Sequence, residues 1–290
     1  MKTTQADKLK TLIKEEQKEK RRLKTRVIAI TSGKGGVGKT TITANLGYAL
    51  HALGFKVALF DADIGLANLD VMLRVNPKKN ILHVLKNEAT LEEIVVEIEK
   101  DFILIPGESG EEIIDFADEI SLNNFISQLD FLEDYDFFLI DTSAGIDKRV
   151  QVFLDAADDV IVVTVPEPAA ITDAYAMVKV ISEKRDIAYM ILNEVHSEKE
   201  ANNIFSKILT VAKQNIKSNF RLLMLGFVKN EKAVYLSSTK RVLFTKEYPT
   251  LSASEQIFAI AKKLAKISER KVLDKENGLT RFFKKIFSGF

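Results

Sequence analysis

The chain has 290 residues, 46% hydrophobic and 29% charged, a globular balance with enough length for a large core. It contains no cysteine, which excludes disulfides, thiolate metal sites and a cysteine nucleophile, and its three histidines argue against a histidine-based metal site. The net charge of +1 conceals a gradient: ten Lys or Arg stand against four Asp or Glu from Met1 to Arg26, and Arg281, Lys284 and Lys285 stand without an acid from Leu279 to Phe290. Met1 to Arg26 lacks the apolar core of a signal peptide, and no apolar run approaches the roughly 18 residues of a membrane span. A cytoplasmic chain, peripheral at most on the inner face of the membrane, is expected.

In chain order, residues 1–24 read as a basic, Lys/Glu-rich segment. Residues 26–31 are an apolar, β-branched run that predicts a buried strand. A Gly-rich turn follows, and then Ile42, Leu46, Ala49, Leu50 and Leu53 fall at helical spacing. Further apolar runs lie at Val57–Phe60, Phe102–Ile105, Phe137–Ile140, Val160–Val165, Ile187–Leu192 and Leu222–Val228, with amphipathic stretches between most of them. Short apolar runs alternating with helical patterns predict an α/β, doubly wound, mostly parallel sheet flanked by helices. No Pro/Gly/Ser-rich linker divides residues 25–270, which read as one domain; 271–290 read as a polar tether and a final amphipathic helix.

Gly33-Lys34-Gly35-Gly36-Val37-Gly38-Lys39-Thr40 matches G-x-x-x-x-G-K-[ST] in full, between a strand and a helix. Glycines let backbone N–H groups turn inward around phosphate oxygens, and the helix N-terminus adds its positive dipole end. In this pattern Lys39 reaches the β- and γ-phosphates and the Thr40 hydroxyl takes a Mg²⁺ position, which makes ATP or ADP with Mg²⁺ the expected cofactors. Two further acidic strand ends fit such a site, because ligands of doubly wound sheets lie beyond the carboxyl ends of the strands. Asp61-Ala62-Asp63 ends the second apolar run, and Asp141 ends Phe137–Ile140 in the manner of a Walker B acid, expected at the Mg²⁺. Thr142 to Gly145 would form a switch near the γ-phosphate.

The stretch Ser32 to Thr41, with its second lysine at Lys34, resembles the deviant Walker A box of the MinD/ParA family of ATPases. Asp61-Ala62-Asp63-Ile64-Gly65-Leu66-Ala67-Asn68-Leu69-Asp70 resembles that family's first switch. The resemblance covers about residues 26–270. It implies that Lys34 contacts phosphates across an ATP-sandwiched homodimer, that Asp63 orients the hydrolytic water, and that Asp61 is its partner near the metal. It also implies that Asn193, after the strand Ile187–Leu192, meets the adenine edge, and that hydrolysis is slow and regulated by partners.

Within the family, Val165-Pro166-Glu167-Pro168-Ala169-Ala170-Ile171-Thr172-Asp173-Ala174-Tyr175 and Leu225-Gly226-Phe227-Val228 resemble the flagellar-number ATPases called FlhG or YlxH. Gln5, Ala6 and Leu9 match the D-Q-A-x-x-L-R element of that group, where it activates the GTPase FlhF; Thr4 and Lys10 depart from it. At the other end, Leu279, Phe282, Phe283, Ile286, Phe287 and Phe290 form one apolar helical stripe, with Arg281, Lys284 and Lys285 off it. Such a stripe suits an anionic membrane surface or a groove on its own domain, and the polar tether and cationic flank favour the membrane. The expected protein is therefore an ATPase switch for flagellar number or placement, with flagellar switch proteins and an FlhF-type GTPase as partners and nucleic acid not among them. Septum placement by a MinD, or DNA or cargo segregation by a ParA-type ATPase, remain the alternatives.

Overall fold

A computed structural model describes residues 25–63, 68–107, 124–269 and 278–288. Gln5, Ala6, Leu9 and Phe290 lie outside the described residues, as does the tether from 271 to 277.

Eight strands form one sheet: β1 (Arg26–Ser32), β2 (Val57–Ala62), β3 (Val96–Glu99), β4 (Phe102–Ile105), β5 (Phe137–Ala144), β6 (Asp159–Thr164), β7 (Ile187–Val195) and β8 (Arg221–Lys229). Their spatial order is β3-β4-β2-β5-β1-β6-β7-β8, and every pairing is parallel except β3 with β4. All seven apolar runs of the sequence are strands of this sheet. The eighth strand, β3, has the short alternating sequence Val-Glu-Ile-Glu on an exposed edge, which carries too few apolar residues to stand out as a run.

Both faces are covered, so consecutive strand residues serve two cores. Val27 and Ala29 belong to one, Ile28 and Ile30 to the other. Helices α1 (Lys39–Ala52) and α5 (Ser252–Glu269) close the Ile28 side through Ile42, Leu46, Ile257 and Leu264. Helices α2 (Lys148–Ala156), α3 (Pro168–Lys184) and α4 (Glu198–Asn215) close the Val27 side through Phe153, Met177 and Ile204. β1 has β5 and then β2 on one side and β6 on the other, so the chain reverses its winding direction at β1. That reversal opens a crevice beyond the carboxyl end of β1, where the phosphate loop lies.

The final helix, α6 (Gly278–Ser288), also belongs to the Val27-side core. Leu279 and Phe282 are fully buried, and Phe283 and Ile286 are 2% exposed. Phe283 packs edge-on against Phe125 at 4.7 Å and Phe138 at 6.1 Å, and Phe282 lies 6.3 Å from Phe153. Arg281, read in the sequence as part of a cationic flank, is paired with the buried Asp158. In this structure Leu279, Phe282, Phe283 and Ile286 of the stripe pack on the chain's own sheet instead of facing outward. The physical reason is that Phe60, Phe125, Phe138 and Phe153 form an apolar wall on that face, whose burial favours the helix over water.

A docked helix and a free tail predict different stabilities. Phe282→Ala should lower the unfolding free energy by about 3–5 kcal/mol in a denaturant titration, as for a core aromatic. An unchanged midpoint would mean that the helix contributes nothing to the folded domain.

Candidate functional site

The loop between β1 and α1 brings its residues together as the motif requires. Gly36 and Gly38 have φ of +79° and +80°, the left-handed region where a side chain is strained, and Gly38 is the N-cap of α1. Gly33 needs its bare Cα for another reason: a Cβ there would stand 2.3 Å from the backbone carbonyl of Asp173 in α3. The loop thus turns inward while pressed between its own helix and the start of α3.

Asp141, fully buried within β5, is the centre of the site. Its Oδ1 accepts from Lys39 Nζ at 2.8 Å and from Thr43 Oγ1 at 3.0 Å, and its Oδ2 accepts from Thr40 Oγ1 at 2.6 Å. One carboxylate therefore holds the phosphate-loop lysine, the hydroxyl expected at a metal, and the next turn of α1. Asp63, 22% exposed, lies 3.9 Å from Lys39 Nζ and hydrogen-bonds Ser143. Burial raises its carboxyl above the usual range, with Lys39 acting against the shift. The second switch is tied down beside it: Thr142 Oγ1 donates to Ile30 O at 3.1 Å, and Gly145 N–H donates to Ser32 O at 2.8 Å.

Asp61, expected near the metal, turns its carboxylate to backbone amides in this structure. It is 2% exposed, and its oxygens accept backbone N–H bonds from Asp63 (3.2 Å), Asn68 (3.0 Å) and Leu69 (3.0 Å). Burial, and then the Asp141 carboxylate, push its carboxyl up to about 7. Its side chain ties together the two ends of the switch segment, because Asp61 faces the N-terminus of the short helix Leu69–Leu73, whose N-cap Asn68 makes no side-chain cap bond.

Lys34 leaves the loop and pairs with Glu167 at 2.7 Å, both side chains being well exposed. The Glu167 hydrogen bond raises the lysine's pKa, so it stays a cation. On the other side of the loop, Asn193 Nδ2 donates to Val37 O at 2.9 Å. Asn193 lines a pocket of about 280 Å³ with Gly38, Thr41, Glu194, Asn230 and Tyr235, next to the loop on the β7–β8 side. Position and size suit a nucleoside. The geometry thus gathers Gly33 to Thr41, Asp63, Asp141 and Asn193 in one crevice. Sequence reasoning missed Thr43, whose only signal is its place one turn after Lys39, and Glu167, whose signal is the Pro-Glu-Pro after β6.

A parallel sheet with this loop at its reversal point and an acid on the loop threonine defines a P-loop nucleotide-binding protein with a second loop lysine. Comparison with known proteins agrees. The family described as AAA domain matches residues 25–194. The flagellum site-determining protein YlxH of Helicobacter pylori is 45% identical over 264 residues, 90% of this chain and 90% of that protein. The antiactivator FleN of Pseudomonas aeruginosa is 32% identical over 241 residues, 82% and 85% of the two chains. Among solved structures, the MinD cell division protein of Aquifex aeolicus superposes with a TM-score of 0.68 at 28% identity, over 87% of this chain and all of that one. The chain belongs to the MinD/ParA-type deviant Walker A ATPases, in the branch of the YlxH flagellar proteins.

The Lys39–Asp141 pair is buried, so breaking it acts on stability and binding together. Lys39→Ala should remove measurable ATP binding in isothermal titration and destabilise the ligand-free protein by about 3 kcal/mol, the cost of leaving a buried carboxylate without its cation. Normal ATP affinity in this variant would exclude Lys39 from the phosphate site.

Proposed function

We propose that this chain is a Mg²⁺-dependent ATPase switch that dimerises around ATP and sets flagellar number or placement from the inner face of the cell membrane. The observation that carries the reading is the pair of lysines: Lys39 is anchored inside the crevice on Asp141, and Lys34 stands outside it on an exposed ion pair. Thr40 Oγ1 and Asp141 Oδ2, 2.6 Å apart, are hard oxygen donors suited to Mg²⁺, which takes few protein ligands and completes its shell with phosphate and water. When bound, Mg²⁺ would neutralise phosphate charge. Among the described residues no cluster of three or more acidic, His or Cys side chains competes as a metal site.

In this reading the loop amides and Lys39 hold the phosphates, and Asp63 orients the attacking water. Its raised carboxyl is suited to accepting a hydrogen bond from that water. Lys34 exchanges Glu167 for the phosphates of a second copy, delivering a cation where charge develops in phosphoryl transfer. The Lys34–Glu167 pair is screened by water and so opens readily. Light scattering of Asp63→Ala with ATP should show a dimer, with phosphate release strongly reduced. Adding Lys34→Ala should return it to monomer. Used as bait, the trapped dimer should capture an FlhF-type GTPase and flagellar switch proteins, through the segment containing Gln5, Ala6 and Leu9 for the GTPase. Capture of division-site proteins instead would favour the septum-placement reading.

Membrane attachment in this scheme requires α6 to leave its groove. The same apolar carbons are buried in either place, so the transfer is decided by what accompanies them. Undocking exposes the phenylalanine wall and strips Asp158 of Arg281. Against that, each basic residue near an anionic surface returns about 1 kcal/mol, and a dimer delivers two helices at high effective concentration. No described helix is long and apolar enough to cross a membrane, so attachment would be peripheral. Lys284 and Lys285 are exposed on the docked helix. Charge reversal of both should reduce co-sedimentation of the ATP-trapped dimer with anionic vesicles by more than tenfold, at roughly 1 kcal/mol per charge, and leave ATP binding unchanged. Undiminished sedimentation would confine α6 to a structural role.

A further inference from the structure

We propose that Asp61 is a positioning residue for hydrolysis, and not a metal ligand: its carboxylate fixes the two ends of the first switch and thereby the place of Asp63. The inference rests on the reading of Asp63 as the residue that orients water, and it assigns Asp61 a different task from its neighbour.

Three observations carry it. An ionised carboxylate offers about four lone-pair sites, and the backbone N–H groups of Asp63, Asn68 and Leu69 take three of them. One bond falls on Oδ1 and two on Oδ2, so both oxygens accept from the chain itself and one site on Oδ1 is left over. Secondly, the partners are the right ones for a clamp. Asp63 N–H leaves the strand end, while the Asn68 and Leu69 amides are orphan donors at the start of the helix Leu69–Leu73. A carboxylate accepting from both pins that helix to the strand end two residues before Asp63. Thirdly, the backbone of Asp61 is closely packed as well. Gly107, just after β4, lies so close that a Cβ would stand 1.5 Å from Asp61 O.

The other acid of the site shows the contrast. Asp141 sits level with Asp61 in the β2–β5 pairing, yet it is Asp141 that takes the Thr40 hydroxyl and the closer contact to Lys39. The two strand-end acids have divided the work: Asp141 faces the phosphate loop, and Asp61 organises the segment that carries Asp63.

Asp61→Asn tests this, since it keeps the shape and replaces one acceptor oxygen with a donor. In the full-length protein, ATP affinity and the Mg²⁺ concentration for half-saturation should stay within about twofold, while the single-turnover hydrolysis rate falls about 100-fold, as for a misplaced reacting group. Amide hydrogen exchange at Asn68 and Leu69 should speed up in the same variant, a readout independent of chemistry. Gly107→Ala, whose Cβ would overlap the Asp61 carbonyl and so must displace the end of β2, should speed up the same amide exchange. A raised Mg²⁺ requirement with full turnover at saturating Mg²⁺ would make Asp61 a metal ligand and overturn the proposal. So would an unchanged rate, unchanged exchange, or loss of ATP binding in Asp61→Asn. Asp63→Ala separates the two readings: wild-type turnover there would remove the role given to Asp63, while the exchange result would still decide whether Asp61 holds the switch.

Discussion

A carboxylate sealed within β5 is the point on which this structure turns. Asp141 has no access to water, so its charge must be met inside the protein, and it is met by Lys39, Thr40 and Thr43 on the first two turns of α1. A buried charge of this kind is costly unless every lone pair is used. The arrangement therefore locks strand, loop and helix into one relative position. The phosphate loop cannot take another shape without leaving that charge unpaired.

The site grows outward from this lock in order of decreasing constraint. Lys39 is 7% exposed and held by Asp141; Asp63 is partly exposed and positioned by its neighbours; Lys34 is exposed and pairs with Glu167. Groups that hold a ligand need rigidity, and a group that must reach another molecule needs freedom. The gradient of burial across these three residues matches the division of labour proposed for them.

The opposite face of the sheet poses a different problem. Phe60, Phe125, Phe138 and Phe153 make a wall that water would penalise, and α6 covers it with Leu279, Phe282, Phe283 and Ile286. Gly278 begins the helix so close to the head of β1 that a Cβ would stand 2.4 Å from Thr25 O, and Arg281 meets Asp158, which also accepts from Val27 N–H at 3.0 Å. The cover is thus fixed by apolar contact along its length and by a charge at its start. Any process that moves α6 acts directly on the central strand of the sheet.

The sequence by itself determined what depends on local order: the phosphate loop from Gly33 to Thr40, the strands whose apolar runs must be buried on two faces, and the acids at their ends. These are contiguous patterns, and their chemistry follows from residue type and spacing. Only the tertiary structure separated the two acids, because each follows an apolar run in the sequence and they differ in their surroundings: the Lys39 ammonium and the Thr40 and Thr43 hydroxyls around Asp141, backbone amides around Asp61. It also decided where Glu167 and Thr43 act, since their partners are 133 and 98 residues away. The final helix is the clearest case. Its apolar side was legible at Leu279, Phe282, Phe283 and Ile286, but an apolar stripe states only that it must be buried, and lipid and protein are equally good at burying carbon. What covers it is a property of the phenylalanine wall, which is assembled from β2, β5, α2 and the residues around Phe125, and no local pattern in the chain contains it.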